Sequence, residues 1–215
     1  LQRRRQRQMC IRDSCYSRLA ELGAVFGSVY GWERANWFAP KNYQLTESDL
    51  NRDDTLWNKN HSAPLADGRI VEKNSFRRSN YFDFVGQECR HVQSSVGILD
   101  MSAFSKASVE GSDSETWLNS ILANKVPSKP GRIALCHMLS LNGGVRAEFT
   151  VYRKSRNSFY LVFSGATERH DWDYLNKLLP KHGSINIQNI TTQKGVFVIA
   201  GPKSRSLLQL SLIHI

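Results

Sequence analysis

No stretch of this chain is apolar for the roughly 18–20 consecutive residues that spanning a bilayer requires. A Gly-rich dinucleotide fingerprint, a P-loop, a paired-histidine metal motif and a nucleophile elbow are also missing. Cysteine is scarce, with four in 215 residues (Cys10, Cys15, Cys89 and Cys136). Their spacings fit no zinc pattern and no disulfide framework, so no metal site is expected and a reducing compartment fits. Acidic residues are outnumbered 19 to 29 by Lys and Arg, giving a net charge of +10. That excess reads at first as a nucleic-acid signal. However, Arg3, Arg4, Arg5, Arg7 and Arg12 all fall in the first 14 residues. The remaining basic residues are scattered, without the clustering among aromatics that a nucleic-acid surface needs.

The basic arm has no helical or strand period and no apolar h-region, so it does not read as a secretory signal. Its RQMCIRDS string and the terminal SLIHI both resemble translated sequencing-adapter sequence, of the kind found at the ends of metagenomic gene fragments. Residues 1–14 and 211–215 are therefore expected to stand outside the fold. The alternative for the arm is a basic segment that binds nucleic acid.

The whole chain is 40% hydrophobic and 22% charged, the balance of an ordinary globular protein. Residues 16–30 begin as a short helix and become Gly-rich. GWERANWFAP (31–40) sets two tryptophans and a phenylalanine among charges, as an aromatic anchor for a connecting segment would. Residues 41–73 are polar and aperiodic, which predicts a loop. More regular structure then begins at SFRRSNYF (75–82). A helix is predicted over 83–95, a short strand over 96–100 and another over 107–109. Ser112 and Glu115 have the spacing of a capping box. The helix they would open carries Trp117, Leu118, Ile121 and Leu122 at core spacing.

The clearest local pattern is a β-hairpin. Residues 135–141 and 145–152 flank Asn142-Gly143-Gly144. Strict alternation puts Val145, Ala147, Phe149 and Val151 on one face, and Arg146, Glu148, Thr150 and Tyr152 on the other. A strand at 159–163, a helix at 167–179 stopped by Pro180, strands at 185–190 and 195–200, and a helix opened by Gly201-Pro202 follow. Hairpins mixed with strand–helix units predict an α+β fold.

Candidate chemistry is sparse. Glu148 stands mid-strand, where glutamate is disfavoured; it is either a site carboxylate or a solvated residue paired with Arg146 or Tyr152. Asp100 and Ser102, in ILDMS, form either a site or a capped turn. His137 and His170 are lone histidines. Arg77-Arg78 could clamp a carboxylate, or simply be hydrated.

Three segments carry a family resemblance. GVFVIAGPKSR, VGILDMSAFSKASVEGSD and NGGVRAEFTV resemble successive parts of the glycine cleavage T-protein. LGAVFGSVYGWERANWF and SFRRSNYFDFVGQE instead resemble the segment before this domain in the dimethylglycine and sarcosine dehydrogenase family. Together these cover about residues 17–210. The resemblance implies a fragment of an FAD-dependent demethylase of methylated glycine. Its flavin domain would lie outside this chain, which itself would bind no FAD. Residues 15–74 would be the connecting segment, and 75–210 the first part of a T-protein-like domain that binds tetrahydrofolate. Carried over by position, Glu148 is the acid near the folate amine, where the T-protein pattern has Asp. Thr150, Tyr160, Val162 and Phe104 match folate contacts. The implied setting is a bacterial cytoplasm or a mitochondrial matrix, with no nucleic-acid or membrane partner. A free-standing aminomethyltransferase and a basic nucleic-acid module are the alternatives.

Overall fold

The computed structural model describes residues 15–29, 32–44 and 78–212. The arm 1–14, Arg77, the 74/75 boundary, most of the polar stretch 41–73 and the last three residues lie outside the described residues. In chain order the elements are α1 (Tyr16–Glu21), β1 (Ala24–Val29), β2 (Trp32–Phe38), α2 (Phe82–Ser94), β3 (Gly97–Asp100), β4 (Ser105–Glu110), α3 (Ser114–Ile121), β5 (Ile133–Leu139), β6 (Val145–Ser155), β7 (Ser158–Phe163), α4 (Glu168–Lys177), β8 (Asn186–Asn189), β9 (Phe197–Ala200) and α5 (Ser204–Leu212). This mixture of helices and largely antiparallel sheet is the expected α+β class. Among the described residues, no helix is long and apolar enough to cross a membrane, and no group of three or more His, Cys, Asp or Glu could hold a metal ion.

The described residues divide into two compact units, 102–196 and the combination of those between 15 and 101 with 197–212. In the second of these, β1 and β2 form an antiparallel hairpin, and β3 pairs antiparallel with β9. Trp37 on β2 is fully buried and stacks on Tyr81 and Phe84, at centroid separations of 5.5 and 5.6 Å. Tyr43 meets it edge-on at 5.9 Å. The tryptophan-rich segment is thus an aromatic anchor, as its composition suggested, but it is built as a strand. A glycine inside β1 hides that strand from a propensity reading. A Cβ on Gly27 would meet only the amide end of the exposed Asn36 side chain, which can rotate away.

Residues 102–196 form a five-stranded antiparallel sheet of order β5-β6-β7-β4-β8. One face is closed by α3 and α4. Ala107, Val109, Cys136, Met138, Phe149, Val151, Phe159, Leu161 and Phe163 point from the strands into a core shared with Trp117, Leu118, Leu122 and Leu175. The predicted α3 stripe is therefore core, and the Trp117 indole donates to the Leu178 carbonyl at 2.8 Å. The expected capping box does not form. Asp113 is the N-cap, without a side-chain cap bond, and the Glu115 carboxylate instead accepts from Arg153 at 2.6 Å. An ion pair to a buried guanidinium outcompetes a local backbone bond.

Candidate functional site

The site is a consequence of the β5–β6 hairpin. Its turn closes through Gly143 N–H to the Ser140 carbonyl (2.9 Å) and Ser140 N–H to the Gly144 carbonyl (2.8 Å). Gly143 has φ +78°, a left-handed conformation that glycine adopts without Cβ strain. From there the pairing runs Leu139 with Val145, then Met138 with Ala147, so β6 carries one extra residue, Arg146. This is a β-bulge, which re-aims side chains locally.

The bulge overturns two expectations from strict alternation. Val145 is 67% exposed rather than core. Arg146 leaves Glu148's face: its guanidinium lies 3.7 Å from the Tyr174 ring centroid and 2.9 Å from His170 Nε2, both on α4. Because a guanidinium only donates, His170 Nε2 must accept. The ring proton then sits on Nδ1, which donates to the buried Asp171 at 2.9 Å. His170 thus has a structural role, orienting Arg146 against α4.

Beyond the bulge the alternation is regular, and residues paired across strands share a face. The face opposite the core is a set of rungs. The first is His137–Glu148; the second runs Leu135–Thr150–Val162–Lys106; the third runs Ile133–Tyr152–Tyr160–Ser108–Gln188. Four of the expected site residues, Glu148, Thr150, Val162 and Tyr160, therefore stand together on adjoining rungs. Phe104 does not join this ladder. It is half-buried in the turn before β4.

The face grades in character. Along β5 and β6 it is open to solvent, with Leu135 51% exposed and the Glu148 side chain 58% exposed. Toward β4 it closes. Lys106 is fully buried, and its ammonium donates to the Ser102 carbonyl at 2.8 Å. Burial pushes the Tyr160 phenol above its ordinary value, so it is a neutral O–H at physiological pH. An acidic edge thus borders an apolar strip of Leu135 and Val162, with two phenols beyond.

Glu148 pairs with neither Arg146 nor Tyr152. Its Oε2 lies 3.0 Å from His137 Nε2. The bulge sets this pairing: with the turn closed by Leu139 and Val145, an unbulged hairpin would place His137 opposite Ala147. Ser102, in ILDMS, accepts from the distant Val196 N–H at 3.1 Å and so ties two segments together, and Asp100 ends β3 opposite Phe197. Arg78 lies over the Phe82 ring, 4.4 Å from its centroid.

Residues 15–213 match the family described as GCVT N-terminal domain. Over 136 residues the chain is 40% identical to dimethylglycine dehydrogenase, mitochondrial, of Mus musculus, covering 63% of this chain and 16% of that protein. Over 195 residues it is 34% identical to the Homo sapiens protein of the same name, covering 90% and 19%. The chain thus spans less than a fifth of the length of these two curated relatives. The glycine cleavage system aminomethyltransferase T of Bartonella henselae shares the fold, with a TM-score of 0.62 at 17% identity, over 90% of this chain and 41% of that one.

Proposed function

Since the chain belongs to the GCVT N-terminal domain family, we propose that it is the folate-facing segment of a longer flavin-dependent dehydrogenase acting on a methylated glycine of the dimethylglycine or sarcosine type. FAD is held by a part of the complete enzyme outside this chain. It supplies the two-electron oxidation of the N-methyl amine to an iminium. Tetrahydrofolate supplies the amine nitrogens that take up the one-carbon unit, so that the demethylated amine leaves and methylene-tetrahydrofolate forms.

The single observation that carries this reading is that Glu148, Thr150, Val162 and Tyr160 share the sheet face opposite the core. That face suits a flat heterocycle with polar edges. Leu135 and Val162 offer apolar support, Thr150 and Tyr160 offer hydroxyls, and Glu148 offers an acceptor for a ring or amine N–H. A carboxylate there also places negative charge where a cationic iminium must be met, and stabilises it electrostatically. Phe104, in the turn that leads into β4, is retained as a further candidate contact. The compartment would be a mitochondrial matrix or a bacterial cytoplasm.

The test is product partition in the complete enzyme. Glu148→Gln keeps the shape but removes the charge and the ability to accept a proton. A positioned acid–base group contributes about 10²–10⁴-fold. Methylene-tetrahydrofolate formed per amine consumed should therefore fall steeply, with formaldehyde released instead. Glu148→Asp should retain much of the coupling. An unchanged partition in Glu148→Gln would remove Glu148 from the site.

A further inference from the structure

We propose that His137 is a positioning residue that holds the Glu148 carboxylate for one-carbon transfer; the inference rests on the folate-side reading of Glu148. The backbone of His137 is fixed along the outer edge of β5. Its N–H donates to Asn124 Oδ1 at 3.1 Å, and its carbonyl accepts from the Ala123 N–H at 2.8 Å. Both backbone groups therefore point away from β6, which makes His137 and Glu148 a non-hydrogen-bonded pair, the arrangement that brings cross-strand side chains closest. The 3.0 Å contact between Nε2 and Oε2 follows from that geometry.

An ionised carboxylate can only accept, so Nε2 must carry a proton. The contact occupies Oε2 and leaves Oε1 as the oxygen presented to a ligand. The His137 side chain is 37% exposed, so the pair sits at the solvent margin of the sheet face. The pairing also explains why this chain can use glutamate where the T-protein pattern has aspartate. Glutamate has one more rotatable bond, and fixing such a side chain costs conformational entropy. A cross-strand donor that captures one oxygen restricts those rotamers before substrate arrives, which is preorganisation of the catalytic group. Aspartate, shorter by one C–C bond of about 1.5 Å, would not need this support and would not reach it.

The experiment uses the complete enzyme and measures methylene-tetrahydrofolate formed per amine consumed, together with KM for tetrahydrofolate. The variants are His137→Ala, His137→Gln, Glu148→Asp, Glu148→Gln and the double variant His137→Ala/Glu148→Asp. His137→Ala should lower the coupling ratio about five- to tenfold, the effect of one charge-assisted hydrogen bond at a partly exposed site. His137→Gln, whose amide can still donate, should recover most of it. In the Glu148→Asp background, His137→Ala should change the ratio by less than about twofold, because the pair is already broken. An unchanged ratio in His137→Ala overturns the proposal. So does an equal loss in both backgrounds, which would mark His137 as a support of the strand alone. If Glu148→Gln also leaves the ratio unchanged, the folate-side reading itself falls, and with it this proposal. Loss in Glu148→Gln without loss in His137→Ala rejects His137 only.

Discussion

Arg153→Ala should destabilise the chain by about 4 kcal/mol. Arg153 is 4% exposed and binds three segments at once. Its Nη1 donates to the Pro127 carbonyl at 3.0 Å, and its Nη2 to the Arg156 carbonyl at 2.7 Å and to Glu115 Oε2 at 2.6 Å. Its guanidinium also lies 5.1 Å from the Phe159 ring centroid. Truncation leaves the acceptor on buried Pro127 without a partner, at a cost of about 1–3 kcal/mol. Losing the buried stem forfeits about 1–2 kcal/mol more. The Glu115 side chain is 43% exposed, so screening limits that ion pair to about 0–1 kcal/mol. The sum is about 4 kcal/mol, a large share of the roughly 5–15 kcal/mol of a typical protein. For a chain of this size it corresponds to a fall of about 10 °C in Tm.

Urea denaturation at pH 7 measures this directly, with Glu115→Gln as the comparison at no more than about 1 kcal/mol. The pH dependence has a definite sign. The hydrogen bond from Arg153 holds the Glu115 carboxyl below the ordinary glutamate range. Its contribution is therefore complete above the unfolded pKa and is lost as pH falls through the folded one. The gap between wild type and Arg153→Ala should narrow slightly on acidification. A cost for Arg153→Ala within about 1 kcal/mol of zero, or no larger than that of Glu115→Gln, would refute the reasoning.

Two further outcomes are expected. Trp37→Ala should cost about 3–5 kcal/mol, as for a fully buried aromatic, and a near-neutral urea midpoint would show that the β2 anchor is not structural. The purified 215-residue chain should show no flavin absorbance and no turnover of dimethylglycine with a dye acceptor, because it carries no dinucleotide fingerprint; bound flavin would contradict this.

The parts of the fold legible in the sequence are those where one local rule acts alone. Asn142-Gly143-Gly144 between alternating runs specified the hairpin, and the Trp117–Leu118–Leu122 stripe specified the buried side of α3. Reading failed where two rules compete. Ser112 and Glu115 satisfy a capping motif, yet Arg153, 38 residues away in sequence, captures the carboxylate. Gly27 weakens β1 as a strand by propensity, yet it pairs with Arg34 in the β1–β2 hairpin all the same. The bulge at Arg146 shows the same limit at the site. Alternation placed Glu148, Thr150, Tyr160 and Val162 correctly relative to one another, but could not show that one extra residue turns Arg146 away toward Tyr174. His137 reads as a lone histidine because no motif surrounds it; the bulge gives it Glu148 as a partner.

The central claim is that the sheet face bearing Glu148 receives the folate. Methyl-resolved NMR of the complete enzyme, titrated with non-reacting 5-formyltetrahydrofolate, tests it most directly. Neighbouring residues on opposite faces act as internal controls. Leu135 and Val162 lie on the proposed folate face, while Val151 and Leu161 lie in the core. Saturable shifts at Leu135 and Val162, with Val151 and Leu161 little changed, are the expected result. Folate binding that leaves Leu135 and Val162 unmoved would contradict the assignment of this face.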